Sequence, residues 1–177
     1  MILLFGIAAG LAAAWVRARI KKRKLQAVEL TGWWLVVLAV LPQALVFGQL
    51  GKRLEISERL VPFFLTGSLL VLIVFAWFNI RKPGFQFLAL GLMLNCIVII
   101  ANGGWMPIAP RTIQQMDPSL APQYAEAGQR LGFTKDWIMN PEDTILPILS
   151  DRITLPVWLG YPVAFSIGDV FIALGAF

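Results

Sequence analysis

Two short stretches gather the few polar groups that an apolar chain offers for chemistry: ANGGWMP at 101–107 and SIGD at 166–169. In and just before the first, Asn95 and Asn102 stand seven residues apart, a spacing that brings both amides to nearly one face of an α-helix. Beside the free backbone groups of Gly103 and Gly104 at a helix end, two such amides could hold a polar headgroup. The competing reading is a helix stop, because a Gly pair takes up the left-handed conformation at little steric cost and Pro107 bars continuation. In the second stretch Asp169 sits inside an apolar run, where an ionisable group is expensive and normally faces the bundle interior or water. SIGD equally fits a capping box, with Ser166 capping the helix and Asp169 answering the amide of the cap. Asp169 is thus either a helix cap or a functional acid. Arg111 completes a candidate ligand-binding set made of Asn95, Asn102, Gly103, Gly104, Arg111, Ser166 and Asp169.

Catalysis has little else to draw on. Histidine is absent, which removes the commonest general base, the commonest metal ligand and every Ser-His or Cys-His pair. With Cys96 as the one cysteine, disulfides and Cys-based zinc sites within one chain are excluded. Glu142 and Asp143 in NPEDT could pair as catalytic carboxylates, but acids after Asn-Pro more often cap a turn. No catalytic residue, metal site or cofactor is assigned.

The elements that must position these residues are written in composition. Of 177 residues, 58% are hydrophobic and 14% charged, with a mean hydropathy of +0.75, values of a helical membrane protein. Apolar runs at about 2–16, 30–50, 60–80 and 85–101, and a closing run at 163–177, predict five membrane spans in a single membrane domain. The first run precedes its basic residues, the reverse of a secretory signal peptide, so it reads as a retained span.

Charge sets the orientation. Arg17, Arg19, Lys21, Lys22, Arg23, Lys24, Arg81 and Lys82 fall on one side against Glu29 alone, whereas the other side balances seven bases with eight acids. The positive-inside rule therefore places the N-terminus outside and the C-terminus inside. The net charge of +5 reflects this topology and anionic lipid at 17–24 rather than nucleic acid. Gly6, Gly10 and Ala14 form a small-xxx-small stripe suited to close packing with another helix, a membrane partner or a second copy. Gln43, Gln49, Ser68 and Asn79 are candidates for hydrogen bonds between helices.

Residues 103–162 form a long outer loop carrying eight of the eleven prolines. Its segments WIM, ILPILS and ITLPVWLGYP are too apolar to stay solvated, so the loop should fold back on the bundle. One short helix is expected over PQYAEAGQRLG, between Pro122 and Gly132. If Ser166 caps the last helix, about eleven residues remain, roughly 17 Å of helix, too short to cross. Either the helix begins earlier, near Val163, which buries Asp169 deeper, or the native chain continues past Phe177; the expectation is the cap with a missing or shortened C-terminus.

NGGWMP at the end of the fourth run, SIGDVFIALG at the start of the last, and the glycine-rich first run followed by a basic loop together resemble a family of small bacterial membrane proteins defined as a domain of unknown function. The likeness covers nearly the whole chain. It implies a polytopic bacterial inner-membrane protein and supplies no activity. The resulting expectation is an all-α, five-span bundle acting as a non-enzymatic accessory or scaffold subunit of a membrane assembly. The alternative is a binding protein, carrier or enzyme for a lipid-like or small polar ligand at the outer mouth.

Overall fold

The computed structural model describes residues 29–47 and 57–176, together with Arg19 and Arg53. The first apolar run with Gly6, Gly10 and Ala14, the basic stretch at 17–24 other than Arg19, and Gln49 lie outside the described residues. About half of the described residues are helical, in five helices: α1 (Trp34–Phe47), α2 (Val61–Phe78), α3 (Phe85–Ala101), α4 (Pro110–Met116) and α5 (Ile167–Ala176). Four short strands lie among them: β1 (Met106–Ile108), β2 (Asp136–Ile138), β3 (Ile153–Thr154) and β4 (Ala164–Phe165).

α2 opens with Pro62 in its first turn, where the missing N–H costs nothing, and it is long and apolar enough to cross a membrane. α1 and α3 are apolar but shorter, at 14 and 17 residues. The faces that these helices leave exposed are apolar as well, with Trp34, Leu41, Phe63, Trp77, Phe87 and Ile97 outside any core. A helix apolar all round belongs to a deep core or to lipid.

α1 and α2 are latched into an antiparallel pair by Asn79, which is 1% exposed. Its amide nitrogen donates to the Thr31 carbonyl at 2.8 Å and its oxygen accepts from the Thr31 N–H at 3.0 Å, the pattern of one peptide group facing another. Lys82 Nζ donates to Asn79 Oδ1 and to the Glu29 carbonyl at the same end. Ser68, by contrast, bonds the Phe64 carbonyl of its own helix. Gly84, at φ 83°, closes the turn from α2 into α3, and Phe75 meets Phe85 edge-on at 5.6 Å.

α3 and α5 run antiparallel with almost nothing between their backbones. A Cβ built on Gly91 would stand 2.4 Å from the Gly168 carbonyl oxygen, and one on Gly84 would stand 2.4 Å from that of Gly175. Each helix contributes glycines seven residues apart, so the two contacts recur on one stripe per helix. Leu65, Leu69, Leu92, Ile99 and Ile172 build the main core around this crossing, with Leu149 of the connector packed against it.

Residues 102–166 connect α3 to α5 and carry a second core of Ile108, Ile113, Met116, Leu131 and Ile138. β1 pairs in parallel with β2, residue 106 facing 136, and Asp151 bridges to Ile108 on the other side of β1. β3 then pairs antiparallel with β4, which leads into α5. Arg130 fastens the connector to the bundle, its guanidinium 5.4 Å from the Phe47 ring of α1 and 5.3 Å from Trp105. The five helices agree with the helical expectation, and the connector adds these short ladders to it. The closing run expected to span from 163 starts with strand β4 rather than helix. The helix expected between Pro122 and Gly132 is a succession of turns, and the connector's helix is α4 instead, started by Pro110.

Candidate functional site

SIGD builds a complete capping box. Asp169 N–H donates to Ser166 Oγ at 3.0 Å, and Ser166 N–H donates to Asp169 Oδ2 at 3.1 Å. Asn95 of α3 closes the circuit, because Ser166 Oγ donates to Asn95 Oδ1 at 2.8 Å while Asn95 Nδ2 donates to Asp169 Oδ1 at 2.9 Å. The glycine contact permits this: Gly168 brings its backbone so near that an added Cβ would lie 2.0 Å from Asn95 Oδ1. Asn95 and Ser166 are buried and Asp169 half-buried.

Asn102 sits two turns along α3 and does something different. Its Nδ2 donates to the carbonyls of Val98 and Ile145, both at 2.8 Å, and its Oδ1 accepts from Ile145 N–H at 2.9 Å. This fixes the turn in which Leu146 takes φ 59°, a left-handed conformation uncommon for a bulky residue. Gly103 and Gly104, at φ 72° and 88°, terminate α3: Gly104 N–H reaches the Ile99 carbonyl at 2.8 Å and Gly103 N–H that of Ile100 at 3.3 Å, the paired bonds of a Schellman stop. Both glycines also line an open, mostly apolar groove with Arg59, Phe63 and Ile100. Arg111 lies elsewhere, in a pocket of the connector shared with Arg152.

The seven residues chosen from sequence therefore occupy three places: a cap network (Asn95, Ser166, Asp169), a helix stop with its latch (Asn102, Gly103, Gly104), and a connector pocket (Arg111). Glu142 is exposed, and Asp143 accepts from Asn140 Nδ2 at 3.2 Å in a turn. Sequence reasoning missed a buried charge centre in the connector. Lys135 Nζ bonds Asp151 Oδ2 at 2.6 Å and approaches Asp136 Oδ1 at 3.2 Å, the latter a charge contact without hydrogen-bond geometry. Asp151 is 1% exposed, and among the described residues its Oδ1 and Asp136 Oδ1 find no hydrogen-bond partner.

Burial alone would pull Lys135 down, but Asp136, Asp151 and Asp169 outweigh it and hold the ammonium above its ordinary range. Burial pushes the Asp151 carboxyl well up, Asp136 and Asp169 push the same way, and Lys135 only partly opposes them. No group of three or more acid or thiol side chains among the described residues is placed to hold a metal ion.

Fold and site together define a helical protein with a membrane-length α2 and a mixed connector pinned into its bundle by asparagines. Over residues 27–177 the chain matches, and belongs to, the family of unknown function DUF5317. It is 28% identical over 121 residues to a protein of Thermotoga maritima described as uncharacterized. That alignment covers 68% of this chain and 62% of the relative, so the chain spans less than two thirds of the relative's length. No solved structure matches the chain.

Proposed function

We propose that the protein is a multi-pass protein of the bacterial inner membrane, five spans with the N-terminus outside and the C-terminus inside, serving as a non-enzymatic accessory or scaffold subunit of a membrane assembly. The observation that carries this reading is that Asn79, Asn95, Asn102, Ser166 and Asp169 are occupied in bracing elements against one another. Polar groups saturated in this way supply geometry, and a reactive centre would need some of them aimed at a substrate. Apolar flanks on α1, α2 and α3 fit lipid or a partner's helices. In this orientation residues 102–166 cap the outer end of the bundle.

The test is extraction of the native protein in mild detergent, followed by mass spectrometry of what accompanies it. A stoichiometric protein partner is the expected result, and a monomer without one overturns the subunit role. Labelling of cysteines introduced at Lys82 and Glu142 tests the orientation separately, since only the second should react from outside.

A further inference from the structure

Residues 150–152 run beside β1, the Asp151 N–H donating to the Pro107 carbonyl at 3.0 Å. Along extended backbone successive side chains point to opposite faces. Asp151 goes inward to Lys135, and Ser150 and Arg152 go to the other face, where α4 presents Arg111 and Thr112. There Arg111, Thr112, Gln115, Thr144, Ser150 and Arg152 line a pocket of about 430 Å³. No carboxylate lines it, and neither Arg111 nor Arg152 forms an ion pair among the described residues, which leaves both guanidinium groups unneutralised. The Ser150 and Thr144 hydroxyls are spent on the carbonyls of Pro147 and Asn140. Thr112 and Gln115 add donors. Pro107, Pro141 and Pro147 stiffen three walls, and the Asn102 latch on Ile145 sets the last of them.

We propose that this pocket binds a phosphate group, gripped by the guanidinium forks of Arg111 and Arg152 with Thr112 as a third donor. Two planar forks match a tetrahedral oxyanion with several acceptor oxygens, and a pocket lined by two cations and no acid selects negative charge. A phospholipid headgroup and a free phosphate ester share this chemistry. The wall itself favours the lipid: Ile145, Leu146 and Ile148 precede it and Val157 and Trp158 follow it, all exposed, and an apolar rim beside cations suits the headgroup layer of a membrane. The choice of lipid rests on the multi-span reading above, whereas the phosphate chemistry does not.

The experiment uses the full chain in two forms. In nanodiscs of phosphatidylcholine with phosphatidylglycerol added, native mass spectrometry counts the lipid retained; in detergent, calorimetry titrates glycerol 3-phosphate. The expected result is selective retention of phosphatidylglycerol, weakened at least about tenfold, or about 1.4 kcal/mol, in Arg111→Gln/Arg152→Gln and unchanged in Arg53→Gln, which removes an exposed charge elsewhere. Arg111→Lys/Arg152→Lys, which keeps the charge and loses the forks, should fall between them. Saturable glycerol 3-phosphate binding abolished by the same double variant would support the pocket and assign the free ester. Failure of the wild type to bind either probe, or retention by the double variant equal to that of Arg53→Gln, overturns the proposal. An inverted cysteine-labelling pattern with the arginine effect intact would remove the orientation and leave the pocket standing.

Discussion

Asn95, Ser166 and Asp169 close their hydrogen bonds on one another, whereas Lys135 faces two buried carboxylates with one ammonium and leaves an oxygen of each without a bond. The two centres are neighbours, near enough for Asp169 to influence both Lys135 and Asp151. The first spends its polarity on position: each member satisfies two others, and the result is the register of α5 on α3. The second holds unbalanced charge, which makes the connector sensitive to anything that changes that charge. A satisfied network rigidifies, and a partly satisfied one is costly to disturb.

The largest effect should come from Lys135→Met. It strands Asp136 and Asp151 without a counter-charge, and although a third of the Lys135 side chain still reaches solvent, the loss should be about 3 kcal/mol, read by denaturant unfolding in micelles. Gly168→Ala strikes the other centre. With Asn95 Oδ1 at 2.0 Å and the Gly91 carbonyl oxygen at 2.9 Å from the new Cβ, α5 must back away from α3 at a cost of about 2–3 kcal/mol, seen as a lowered melting temperature. Asn95→Ala leaves Ser166 Oγ and Asp169 Oδ1 each one bond short and should cost about 2 kcal/mol; a double-mutant cycle with Asp169→Asn should show the two changes to be non-additive.

The pH dependence separates the centres further. A raised carboxyl binds its proton more tightly in the folded state, so the contribution of Asp151 is complete below about pH 4 and is lost as pH rises through its folded value. Asp151→Asn should flatten that decline, and Asp169→Asn should leave most of it. Lys135, raised above its ordinary range, contributes throughout this window and would fade only in strong alkali. The smallest effect is a contrast: Gly67 in α2 has open space where its Cβ would go, so Gly67→Ala should gain up to about 1 kcal/mol, opposite in sign to Gly168→Ala.

Much of the helical part could be read from sequence because long apolar helices announce themselves by run length. α1, α2 and α3 fall within the runs at 30–50, 60–80 and 85–101. The SIGD box was legible too, since its partners are three residues apart and need only local geometry. The connector was not. Its strands hold two or three residues each, and β1 finds β2 thirty positions away, a pairing that no periodicity records. Lys135 and Asp151, sixteen residues apart, left no pattern either. Asn95 and Asn102 stand two helical turns apart, but one meets α5 and the other meets Ile145, so each amide is taken up by a different element. A usable signal was overlooked: Gly84 with Gly91 and Gly168 with Gly175 repeat at seven, as a helix-packing stripe would.

That stripe has a mechanical side. Where two helices touch through side chains, rotamers can absorb a small displacement; where they touch backbone to backbone at two points, sliding and rolling are both blocked. α5 therefore behaves as a push-rod welded to α3. A shift imposed on β4 by the connector would have to carry α3 and α5 together, and with them the Gly84 turn that joins α3 to α2, about 16 Å away by helical rise.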